Sequence, residues 1–350
     1  ALNVAAALCV LVVAPKARPV ARREFHDTPA GIGAVRAPVG SSRSGARADP
    51  RTAVIAMATE KCIFCGAQPT TKEHVFSRWT HKYMAPRQPG KARLSIEDQF
   101  VDKSETRLVK MSGQLRDWQV KCVCGGTART CNNGWMKSIE DRTKPIMADL
   151  IQGSERRITP SEQSIIATWA ILKTMVSEYA GTYKGHIHYK QREYMKRHAL
   201  APTRGWAVWI GYYDRSNWVV EFVSRPMLLV PKSVAERSND YISGYFNSNV
   251  TTQIIGKLFI HVIHFPMPSF IKWWRFRFPH RGAIFRIWPP AQVSIKWPSS
   301  ALDDQAAERI SDAVFAHIVT AQKRLVANAP SDVRERFLRV SADWARRLKR

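Results

Sequence analysis

No uncharged apolar run in this 350-residue chain reaches the roughly 18 residues that a membrane-spanning helix needs, so no spanning segment is read from it. Acidic residues are scarce: 28 stand against 54 basic ones, a formal charge of +26. Such an excess suits a polyanionic partner, because each neutralised phosphate releases counterions and binding gains entropy. Nucleic acid is the partner this favours, with an anionic membrane surface as the weaker competitor. Cysteine is sparse as well. Six cysteines in a chain this long do not make a disulfide scaffold, and five of them lie between residues 62 and 131. Clustered thiols of this kind read as a metal site in a reducing compartment, which points to a cytoplasmic protein. An internal repeat is also missing. Apolar content is ordinary at 45%, enough for a sizeable core, and the length suits two domains.

Residues 1–56 stand apart. ALNVAAALCVLVVAP is apolar, and a Pro/Arg/Ala/Gly/Ser-rich stretch without helical or strand period follows it. No basic region precedes the apolar run, and zinc-type cysteines argue against export. The segment is therefore read as an upstream stretch ahead of Met57, with a targeting segment or a disordered arm as alternatives; in each case it should not pack. Without it, 46 basic and 25 acidic residues still leave +21.

The chemistry concentrates in two stretches. Lys61 to Trp79, KCIFCGAQPTTKEHVFSRW, carries a C-x2-C knuckle, Cys62 and Cys65, and eight residues later the pair Glu73-His74. Val120 to Glu140, VKCVCGGTARTCNNGWMKSIE, carries Cys122, Cys124 and Cys131, with Asn132 and Asn133 directly after the last. Two thiolate pairs satisfy a tetrahedral Zn²⁺. A carboxylate beside a histidine, brought near a side-chain amide, suits a hard divalent cation and general-base chemistry. Trp118 to Val123 alternates as a strand, the second of a hairpin whose first strand ends at His74. Asn132, Met136 and Glu140 are spaced i, i+4, i+8 on one helix face, and Pro145 is expected to limit that helix. Residues 80–117 form a polar insert in which RLVKM is a short strand.

These two stretches resemble the HNH endonucleases, the ββα-metal nucleases pinned by cysteine pairs, over roughly Lys61 to Leu150. The resemblance implies that His74 is the general base and that Glu73 and Asn132 hold a catalytic Mg²⁺ or Mn²⁺, with Asn133 as a fallback ligand. It implies a structural zinc on Cys62, Cys65, Cys124 and Cys131, and DNA as the substrate. Two departures stand out. No asparagine occurs between His74 and Asn132, so Gln119 or a backbone group must orient the base. Six residues, GGTART, separate Cys124 from Cys131 where two are usual, and Cys122 remains an alternative ligand to Cys124. Arg78, Arg129 and Lys137 are candidate phosphate contacts. Trp135 and Met136 read as core anchors and Glu140 as a structural ion-pair partner, while His81, His261 and His264 lack a liganding context.

Beyond the motifs, Thr159-Pro160-Ser161-Glu162 reads as N-cap, first-turn proline and capping-box glutamate of a helix running towards Gly181. Ile165, Ile166, Trp169, Leu172, Val176 and Tyr179 form its stripe. Strand-like segments follow: GWAVWIGYY and NWVVEFV around a turn at Asp214 to Ser216, TTQIIGKLFIHVIHF, FRFPHRGAIFRIW and QVSIKW. Two helices close the chain, one lined by Ile310, Val314, Ile318 and Leu325, the other by Val333, Phe337, Val340, Trp344 and Leu348. The expected fold is α+β: a zinc-stapled ββα-metal module over 57–155, then an α+β domain over 156–350 with a mostly antiparallel sheet and C-terminal helices. An HNH-type endonuclease acting on DNA is the activity this implies, with a non-catalytic zinc-stabilised nucleic-acid-binding protein as the rival.

Overall fold

A computed structural model describes residues 7–8, 61–68, 70–84, 94–99, 104–109, 118–127, 129–179, 187–214, 220–227, 230–231, 247–266 and 282–328, with residues 271, 331 and 335 singly. In chain order these form β1 (Ala7–Leu8), β2 (Thr70–His74), a 3-10 turn (Arg78–Tyr83), β3 (Leu94–Gln99), β4 (Ser104–Val109) and β5 (Gln119–Cys124). A π-type turn (Asn132–Met136) enters α1 (Lys137–Gln152), followed by β6 (Arg156–Ile158), α2 (Pro160–Ser177) and α3 (Tyr189–His198). The remainder is β7 (Trp206–Tyr213), β8 (Val220–Met227), β9 (Val230–Pro231), β10 (Ser248–Ile255), β11 (Leu258–His264), β12 (Ile284–Trp288), β13 (Ile295–Trp297), β14 (Ala301–Leu302) and α4 (Asp304–Ala327). The architecture is α+β.

The principal sheet runs β12-β7-β11-β10-β8, antiparallel throughout, with β14 added parallel to β7. β10 and β11 form a hairpin closed at Gly256-Lys257, where Gly256 takes φ +56, a left-handed torsion that glycine adopts without steric cost. All fifteen residues of these two strands are buried, because helices cover both faces of the sheet. Ile260, Val262, Val208 and Ile210 share a core with Ile166, Trp169 and Leu172 of α2. On the other face Val250, Ile254, Phe259 and Ile263 pack with Ala306, Ala307, Ile310 and Val314 of α4. The strands flanking Asp214 to Ser216 are not neighbours: β11 and β10 lie between β7 and β8.

α2 is the pivot. Thr159 Oγ1 accepts from Glu162 N–H and Glu162 Oε2 accepts from Thr159 N–H, the reciprocal cap that the sequence announces. Such a cap stabilises a helix by about 1 kcal/mol. From Ile166 to Ser177 every residue is buried, since the helix lies between β5 and α1 on one side and β7, β11 and β12 on the other. It ends at Ser177, short of the expected stop; Gly181 lies outside the described residues. One apolar cluster extends from Cys62 to Trp297, so the expected boundary near residue 155 falls inside a continuous core.

β2 and β5 pair antiparallel, with His74 opposite Gln119, Glu73 opposite Val120 and a bulge between Thr71 and Lys72. Within the polar insert, β3 and β4 make a second hairpin joining Gln99 to Ser104, so the insert holds two strands where one was expected. α1 does not stop at Pro145 as expected. It continues to Gly153, whose φ of +76 supplies the left-handed C-cap. Burial of Ile146, Met147, Leu150 and Ile151 beyond the proline outweighs the ~3 kcal/mol that an interior proline costs. Of residues 1–56 only Ala7–Leu8 is described, paired with Val230–Pro231; the rest of that expectation lies outside the described residues. So does the helix expected over Val333 to Leu348, apart from residue 335.

Candidate metal centre

Cys62 to Gly66 fold into a tight knuckle. Gly66 N–H donates to Cys62 O at 2.8 Å and Cys62 N–H to Ala67 O at 2.9 Å. Gly66 takes φ +73. Ile63 N–H donates to Cys122 O at 3.0 Å, which ties the knuckle to β5. Phe64 meets Trp135 edge-on, centroids 5.0 Å apart, so the aromatic pair anchors the entry to α1. On the opposite side Cys131 N–H donates to Cys124 Sγ at 3.2 Å across the six-residue insertion.

The result brings the sulfurs of Cys62, Cys65, Cys124 and Cys131 within 4.8 Å of one another, and Cys65 Sγ lies 3.5 Å from Cys124 Sγ. Sulfurs bound tetrahedrally at ~2.3 Å from zinc would sit about 3.8 Å apart, so the four can bind such an ion. Charge is shared unequally among them. The Cys62 thiol is pulled down to about 4, first by a hydrogen bond from Cys131, and Cys131 is pushed up by that same bond and by burial. Four thiolates this close cannot coexist without a cation between them. Cys122, the alternative to Cys124, lies outside this group: it sits two residues earlier on β5, roughly 7 Å along the strand. It is wholly buried, and burial pushes its thiol well up.

Beside the cysteines lies a second polar cluster. Glu73 is 7% exposed, and its Oε1 accepts from Lys173 Nζ at 2.5 Å. The same ammonium lies 2.6 Å from Glu140 Oε1 and donates to His74 O at 3.2 Å. Ser77 Oγ donates to Glu140 Oε1 at 2.5 Å and accepts from Trp169 Nε1 at 3.1 Å. Asn132 Nδ2 donates to Thr71 Oγ1 at 3.3 Å, and Asn132 lies near enough to the Glu73 carboxylate to favour its ionised form. Burial raises the pKa of Glu73 against the pull of Lys173. Burial also opposes ionisation of Glu140, but the Lys173 charge and the hydrogen bonds from Lys173 and Ser77 prevail and lower its pKa. Lys173 itself is wholly buried and held protonated: burial works against its charge, and the two carboxylates outweigh it.

His74 is half-buried at the end of β2. Its Nε2 lies 2.7 Å from the Gln119 side-chain nitrogen, and its ring meets His81 edge-on at 5.3 Å. Burial first, then the charges of His81, Lys173 and Arg78, lower its pKa to about 4. The imidazole is therefore neutral at pH 7.

Asn132 is thus brought near Glu73, with His74 next to Glu73 on the strand. Glu140 is an ion-pair partner, and Met136 is buried. Arg78 and Arg129 are exposed, Arg78 close enough for its charge to act on His74. Lys137 is exposed and paired with Asp141 at 2.5 Å. Lys173 was not anticipated, although it is the one charged residue in the otherwise uncharged run from Ser164 to Ser177. Nor was its link through Ser77 and Trp169. Among the described residues no helix is long and apolar enough to cross a membrane. Comparisons with protein-family models, with curated proteins and with solved structures find no match, so the functional reading rests on this geometry.

Proposed function

We propose that the chain is a metal-dependent HNH-type endonuclease hydrolysing phosphodiester bonds in DNA, its ββα-metal module built from β2, β5 and α1. The observation that carries this reading is Asn132, tied to Thr71, brought near Glu73 beside a neutral His74 and next to four clustered cysteines. Zinc on Cys62, Cys65, Cys124 and Cys131 is structural, since four thiolates leave no open position for substrate. The second carboxylate oxygen of Glu73 and the amide oxygen of Asn132 are hard donors suited to Mg²⁺ or Mn²⁺. With both carboxylates ionised, Glu73, Glu140 and Lys173 together leave one net negative charge there. A divalent cation so held would polarise the scissile phosphate and neutralise charge developing on the leaving oxygen.

The chain's own groups do the rest. His74 takes a proton from the attacking water, and Gln119 fixes the orientation of its ring. Arg78, Arg129 and Lys137 contact the DNA backbone, and the +26 charge of the chain draws the polyanion in. A cytoplasmic location accompanies this reading.

One observation favours a second reading, a non-catalytic zinc-stabilised nucleic-acid-binding protein: Lys173 Nζ already occupies one oxygen of Glu73. Plasmid nicking with added Mg²⁺ or Mn²⁺ separates the two. The nuclease reading expects metal-dependent nicking that His74→Ala lowers on the order of 10²–10⁴-fold while zinc content and DNA binding persist. Equal nicking by parent and variant would defeat it.

A further inference from the structure

The buried ammonium between Glu73 and Glu140 has a consequence for any divalent cation that binds there. Lys173 Nζ is 2.5 Å from one carboxylate and 2.6 Å from the other, and its side chain is wholly enclosed. It arrives from α2, a hundred residues along the chain, and is held there by the buried helix around it. It cannot swing out to solvent without unpacking that helix, so it does not reach substrate. Its positive charge is a fixed part of the site.

We propose that Lys173 is a built-in cation that competes with the divalent metal for Glu73, setting how weakly the site binds that metal. This deepens the nuclease reading and rests on it for the identity of the metal position. The charge count carries the argument. With Glu73 ionised against the ammonium 2.5 Å away, two carboxylates and one ammonium leave a single negative charge to attract a cation, and one Glu73 oxygen is already committed. Removing the ammonium while keeping the length of the side chain would leave two buried carboxylates facing each other with nothing between them. Such a pair either takes up a cation or destabilises the fold. Removing Glu140 instead would leave Lys173 to balance Glu73 alone, and the attraction for a divalent ion would largely vanish. Lys173 is accordingly a positioning residue: it acts through Glu73.

The experiment is Mn²⁺ titration of the zinc-loaded full chain, followed by electron paramagnetic resonance, on the parent, Lys173→Met and Glu140→Gln. A unit charge about 4 Å away at an effective dielectric of about 20 alters binding by more than tenfold, so Lys173→Met should bind Mn²⁺ at least roughly tenfold more tightly and Glu140→Gln at least roughly tenfold more weakly. Thermal melting supplies a second readout: Mn²⁺ should raise the melting temperature of Lys173→Met more than that of the parent. Equal Mn²⁺ affinity in the parent and in either folded variant overturns the inference. Should Lys173→Met not fold, Glu140→Gln decides alone. Plasmid nicking by the parent is measured alongside. Nicking with unchanged Mn²⁺ affinities removes this inference and keeps the nuclease; the expected order of affinities without nicking keeps the inference and removes the nuclease.

Discussion

Gln119 stands directly across the β2–β5 ladder from His74, its side-chain nitrogen 2.7 Å from the Nε2 of the imidazole. A primary amide can turn either its NH2 or its oxygen towards a ring nitrogen, and that choice fixes the tautomer. With the oxygen turned inward, Nε2 carries the proton and Nδ1 keeps the lone pair that a general base needs. Gln119→Leu should therefore lower nicking by on the order of tenfold or more without changing zinc content or DNA affinity. Unchanged nicking would place the orienting role elsewhere. Because the His74 pKa is lowered to about 4, the base should remain neutral and active down to mildly acidic pH, with activity failing only as pH falls towards 4.

Cys122 and Cys124 lie on one strand, yet only Cys124 belongs to the group of four sulfurs. Metal analysis should find zinc retained at parental occupancy in Cys122→Ala and lost in Cys62→Ser and Cys124→Ser. The Cys122 variant should still be less stable, by about 1 kcal/mol, because a wholly buried thiol leaves a void. Zinc loss in Cys122→Ala would return that residue to the ligand set.

Pro145 is exposed in the interior of α1 and lacks the N–H that would bond the carbonyl of Asp141. Pro145→Ala should stabilise the protein by about 1–3 kcal/mol, read from the urea midpoint. A midpoint that stays put or falls would mean that the proline fits this helix without strain.

What the sequence made legible was local. The C-x2-C knuckle, the Thr159–Glu162 cap and the alternation after Trp118 each depend on residues a few positions apart, and each has a short-range physical reason. What it hid depends on packing between distant segments. Lys173 reads as a stray charge until α2 is seen buried on every side, where a lysine must find carboxylates. The separation of β7 from β8 is likewise a decision made by β10 and β11, whose apolar residues fill the centre of the sheet from both faces. Pro145 carried a correct local penalty that tertiary burial overrode. The roles of Glu73 and Asn132 at a divalent cation came from resemblance; what the fold adds is that Asn132, bonded to Thr71, comes near Glu73.

His264 is 4% exposed at the end of β11, its ring 4.5 Å from that of Trp206, and among the described residues its Nδ1 has no hydrogen-bond partner. Burial, then the charge of Arg192, lowers its pKa to about 3. In the unfolded chain the group titrates near 6.5, so between these two values the unfolded state binds more protons than the folded one. Its contribution to stability is therefore complete above about pH 6.5 and is lost as pH falls from there towards 3. Between pH 6.5 and 5 the loss from this one residue is on the order of 2 kcal/mol. His264→Phe, which keeps a ring beside Trp206 but cannot titrate, should flatten the fall of the urea midpoint over that interval. His74 has the same sign and titrates in both proteins, so the difference between the two curves isolates His264. Parallel curves for parent and variant would show that His264 gains a proton in the folded state as readily as in the unfolded one.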